Sequence, residues 1–72
     1  MPQEELYRKL TCLNARIVRG RDLIGEQRDR IIASADDPSP QSVILFRELQ
    51  RSVRCMSRHR RRLMAELRSL PD

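Results

Sequence analysis

Seventy-two residues with a formal net charge of +5 make one small domain at most. A chain of this length buries only a thin core and needs a disulfide, a metal or a partner chain to reinforce it. Two cysteines without a CxxC spacing and one histidine exclude a disulfide framework or a zinc site, so a homo-oligomer or a helical protein partner is expected.

The charge is unevenly distributed. Residues 1–38 carry seven Lys/Arg against seven Asp/Glu, whereas residues 39–72 carry eight arginines against three acids. Such asymmetry suggests an anionic partner or an oriented assembly. The cysteine usage points to a reducing cytoplasm. Apolar runs of about four residues fall far short of the roughly twenty that span a bilayer, and "MPQEELYRKL" lacks the apolar core of a signal peptide. No membrane association is expected.

In chain order, Leu6, Leu10, Leu13, Ile17, Gly20, Ile24, Gln27 and Ile31 alternate spacings of four and three. That is a continuous heptad seam with two weak members, Gly20 and Gln27. It predicts a helix over about 3–35, with Glu4 and Glu5 at the positive end of its dipole. The segment "SADDPSPQS" then breaks the helix, with the turn expected near 36–39. Ser39 suits an N-cap and Pro40 a first helical position, because the serine oxygen takes an orphan N–H and proline has none to leave unpaired. Asp37–Pro38 is the competing start. From Ser42 through Phe46, Leu49, Val53, Met56, Arg60, Leu63, Leu67 and Leu70 the four-three pattern returns, predicting a helix over about 40–70 that Pro71 closes. The fold class is therefore all-α: a coiled-coil-like antiparallel two-helix hairpin over residues 1–72, expected to be completed by oligomerisation into a helical bundle.

Two registers are open. If Ile31 faces Phe46, Gly20 meets Met56; if Ile31 faces Ser42, Gly20 meets Val53. Either places a small residue where the backbones approach. Gly25 lies off the seam, although each glycine costs a helix about 1 kcal/mol against alanine. Both registers hold Cys12 and Cys55 roughly 9–15 Å apart along the axis, too far for an intrachain disulfide, so two free thiols are expected.

The second helix carries Arg47, Arg51, Arg54, Arg58, Arg61 and Arg68 as a ridge opposite its seam, with Arg62 beside it. A solvated face normally mixes charge signs, as the first helix does through Glu4–Arg8, Glu5–Lys9 and Glu26–Arg30, all i,i+4 pairs. A one-signed ridge suits an acidic protein or a phosphate backbone. With Tyr7 and Phe46 as the only aromatics, base stacking has no platform. Nucleic-acid binding would be weakly sequence-specific and salt-dependent. Arg60 sits on the seam itself, with its stem covering apolar surface, or as a polar residue that sets register, or paired with a carboxylate of another chain.

Apolar residues outside the seam mark a second surface. Ile31 and Phe46 are expected to be hidden, and Val43 and Leu45 sheltered at the seam edge. Ile32, Ile44 and Val18 are left uncovered, with Leu23, Tyr7 and Met64 at the margin. Val18, Leu23, Ile32, Val43, Ile44, Leu45 and Met64 thus form the candidate patch for a second copy or another protein. No nucleophile–base arrangement, paired carboxylates or glycine-rich phosphate loop is present; "GRDLIGE" holds its two glycines within a helix. The chain is read as a non-enzyme without cofactor, metal or small-molecule substrate. The reading is a small interaction module that presents its arginine ridge to an acidic partner, the alternative being a phosphate-contacting nucleic-acid regulator. The seam is tested by circular dichroism: Ile24→Asp or Leu49→Asp should abolish most of the helical signal, and retained helicity would refute the assignment.

Overall fold

Residues 2–34 and 37–71 are described by the structure, a computed structural model. Helix α1 (Pro2–Ala33) and helix α2 (Pro40–Ser69) run antiparallel as a rod with extents of 57 × 14 × 13 Å. All long-range packing is between these two helices.

Local chemistry sets the helix ends. Helix α1 stops short of the expected residue 35. Ser34 donates its N–H to the Arg30 carbonyl at 3.0 Å and its hydroxyl to the Ile31 carbonyl at 2.8 Å, satisfying acceptors that a helix end otherwise leaves orphaned. Residues 35 and 36, which include the start of the expected turn, lie outside the described residues. Helix α2 begins where Ser39 and Pro40 predict, and Asp37–Pro38 is not used. Ser39 is extended at φ −63° and ψ 144°, and its hydroxyl oxygen accepts the Ser42 N–H at 3.2 Å. At the far end Leu70 turns back to donate its N–H to the Leu67 carbonyl before Pro71.

The seam forms the core. Leu6, Leu10, Leu13, Ile17, Val53 and Leu63 are buried, with Ile24, Met56, Met64, Leu67 and Leu70 packed against them. Burial is deepest toward the open end of the hairpin. Near the turn, Ile31, Phe46 and Leu49 are only half-buried, so the seam does not hide Ile31 and Phe46 as expected. Leu45, expected to be sheltered, is exposed, and only Val43 is partly covered. The reason is geometric: two helices enclose one line of contact, and every seam-edge residue keeps one side toward solvent. No described large side chain is fully sealed.

The weak seam members carry the register. A Cβ built on Gly20 would lie 2.7 Å from Val53 Cγ2 and 3.5 Å from the end of Met56. This selects the alignment in which Gly20 meets Val53. Gln27, 5% exposed, donates from Nε2 to the Ser42 carbonyl at 3.1 Å. Arg60 donates from Nε to Asn14 Oδ1 at 2.7 Å. The bond joins the two helices, and Arg60 itself remains exposed. A buried amide is costly unless paired, so a slipped register that separated Gln27 from Ser42 would be penalised.

The two glycines should respond oppositely to alanine. Val53 is β-branched and stiff at χ1, so Gly20→Ala should overpack the crossing and lower stability by about 1–3 kcal/mol, despite the better helix propensity. Gly25 has nothing within 4 Å of a Cβ, and Gly25→Ala should stabilise by up to about 1 kcal/mol. Thermal unfolding of both variants measures this; a stabilised Gly20→Ala protein would mean the helices do not cross here as closely as described.

Candidate interaction surface

An antiparallel helix pair has two broad sides. Residues that follow each seam position by one lie on one side, and residues that precede it by one lie on the other. On the first side Asn14, Val18 and Arg21 of α1 meet Ser57, Arg60 and Arg61 of α2 around an open groove of about 450 Å³. On the second side Lys9, Cys12 and Arg16 meet Cys55 and His59 above a floor of Leu13, Met56 and Leu63, in a groove of about 530 Å³. The two cysteines therefore line one groove from opposite helices, and both are free and exposed.

The first side is cationic. Arg47, Arg54, Arg61 and Arg68 recur every seventh residue along α2, about 10.5 Å apart, and all are exposed. Across the groove, exposed Arg21 and Arg28 of α1 join them, and Glu4 is the one acid at that edge. Arg21 and Arg28 are not part of the ridge read from the sequence, because residues 1–38 as a whole are charge-balanced. The seven-residue recurrence of Arg21 and Arg28, one position after the seam, was the available signal. Arg51 and Arg58 point outermost on α2, and Arg62 belongs to the opposite side. All seven ridge arginines are exposed, but by heptad position they divide among three lines.

Among the described residues the one ion pair is Lys9–Glu5, at 3.8 Å. The expected Glu4–Arg8 and Glu26–Arg30 pairs lie beyond 4.0 Å and are not formed, consistent with the small value of exposed pairs. The ridge arginines thus have no carboxylate within ion-pair distance among the described residues.

The candidate apolar patch also divides. Val18 and Ile32, 58% and 67% exposed, share the cationic side with Tyr7 at 52%. Half-buried Val43 and Met64 lie on that side of α2, Met64 packing on the core. Half-buried Leu23 and exposed Leu45 fall on the opposite side, and exposed Ile44 faces directly away from the seam. Heptad position thus leaves no continuous seven-residue patch; apolar residues are interleaved with arginines on one side and with mixed charges on the other.

Among the described residues no cluster of three or more His, Cys, Asp or Glu could hold a metal ion. No described helix is long and apolar enough to cross a membrane. The chain matches no protein-family model, no curated protein and no solved structure.

Proposed function

We propose that this protein is a small non-enzymatic interaction module, an adaptor or regulatory subunit, whose cationic side docks an acidic and partly apolar protein surface. The observation that carries the reading is the placement of exposed Tyr7, Val18 and Ile32 on the same side as six exposed arginines from both helices. Arginine and aromatic residues are enriched where proteins meet. Exposed aliphatic groups gain from burial against protein but contribute little against a phosphate backbone. An amphipathic helix with an acidic flank is a fitting partner: its apolar stripe would cover Val18 and Ile32 while its carboxylates reach Arg21, Arg54 and Arg61.

One observation favours nucleic acid as a second reading. The arginines at about 10.5 Å intervals run along a straight, one-signed ridge, which suits a phosphate backbone.

Affinity capture from host extract, with and without nuclease, tests both. The Arg21→Gln/Arg54→Gln/Arg61→Gln variant should keep its helicity, because it only relieves like-charge repulsion. It should retain a nuclease-resistant acidic partner at least about ten-fold less well than the parent. Arg62→Gln, on the other side, should retain it fully. Capture unaffected by the triple substitution would refute the reading, and capture abolished by nuclease would transfer it to nucleic acid.

A further inference from the structure

The side opposite the arginines differs in charge. Along α1 it carries Glu5, Lys9, Arg16, Arg19, Glu26 and Arg30, and along α2 Glu48, Arg62 and Glu66, all exposed. Its floor is apolar, with half-buried Leu23, Leu49 and Met56 between the helices. We infer that this side is the interface with a second copy of the chain. The two hairpins pair face to face about a two-fold axis perpendicular to the helices at their mid-height.

Charge selects both the side and the axis. An axis at mid-height sets the α1 helices of the two copies antiparallel across the interface, and likewise the α2 helices. In an isologous contact residue i meets j and j meets i. Centred on the 32-residue α1, Glu5 meets Arg30 of the second copy and Lys9 meets its Glu26. Val53 lies level with Gly20, so Cys55 lies level with Val18, near the middle of α1. Centred there, Glu48 of α2 meets Arg62 of the second copy, and Cys55 meets Cys55. Each complementary pair occurs twice by symmetry. The like-charged meeting is Arg16 with Arg19 of the second copy, beside the axis.

The alternatives fare worse. An axis parallel to the helices through the same side sets Glu26 against Glu48 and leaves Lys9 midway between Arg62 and Glu66. Pairing through the cationic side brings six arginines per copy together with Glu4 as the one acid, and like charges placed in contact cost affinity. The size is also suitable. A side 57 Å by 14 Å offers about 800 Å² per copy, the usual share of a stable interface. Pairing would cover Met56, Leu49 and Leu23 and form a four-helix bundle, with both cationic sides outward. The inference deepens the interaction-module reading, resting on it only for the use of those outward sides.

Light scattering after gel filtration, combined with mild air oxidation, tests the pairing. The Cys12→Ser chain should be dimeric at low and high salt and should form a Cys55–Cys55 disulfide, since the axis brings these residues within the roughly 7 Å Cα separation a disulfide requires. Cys55→Ser should remain dimeric but uncrosslinked at the axis. Glu26→Lys should weaken dimerisation roughly ten-fold, because attraction becomes repulsion at two symmetric sites. Lys9→Glu combined with Glu26→Lys should restore it. A monomer at every concentration would overturn the inference. So would a dimer that neither crosslinks through Cys55 nor responds to the charge swap. Neither outcome touches capture by the arginine side, whose failure appears separately in the Arg21, Arg54 and Arg61 substitutions.

Discussion

Everything else about this hairpin depends on how closely its helices cross at Gly20. With Val53 Cγ2 only 2.7 Å from the place of a missing Cβ, the crossing accepts glycine and excludes even a methyl group without movement. Leucine and isoleucine seams can slide past one another by a heptad at modest cost, because each layer resembles the next. The glycine layer is different, since it accommodates a bulky partner at one level. Gln27 on the Ser42 carbonyl and Asn14 on Arg60 secure the same alignment on either side of it. Three seam or near-seam positions that weaken the hydrophobic pattern therefore specify which layers meet.

Heptad position determines electrostatics. In the antiparallel pair the position after each seam residue carries Arg21 and Arg28 on α1 and Arg47, Arg54, Arg61 and Arg68 on α2, all toward one side. The opposite side receives a mixture of signs. Repulsion among the arginines opposes folding slightly, and the described residues provide no carboxylate within ion-pair distance to relieve it. A single small domain therefore has one side of one charge sign and another of mixed sign.

The thin core has a corresponding consequence. Two helices bury one seam, and no described large side chain is fully sealed, while the turn half leaves Ile31, Phe46 and Leu49 half-open. Each such residue contributes only part of the roughly 1.5–3 kcal/mol that full burial of a large aliphatic side chain gives. Covering them with further helices would add stability without changing the hairpin.

The sequence by itself determined the two helices, the Ser39–Pro40 start of the second, and the seam. These follow from short-range physics: 3.6-residue periodicity, a hydroxyl beside orphan N–H groups, and proline's missing donor. It also located the arginines of α2, since a one-signed ridge is visible along a single helix. The tertiary structure decided the register, because two alignments one layer apart satisfy the same heptad pattern and only the Gly20–Val53 approach separates them. It also decided that Arg21 and Arg28 share a side with the α2 ridge, that Cys12 and Cys55 line one groove, and that the off-seam apolar residues divide between two sides. Those relations join residues of different helices, and they hold only once the two seams pack against each other in antiparallel.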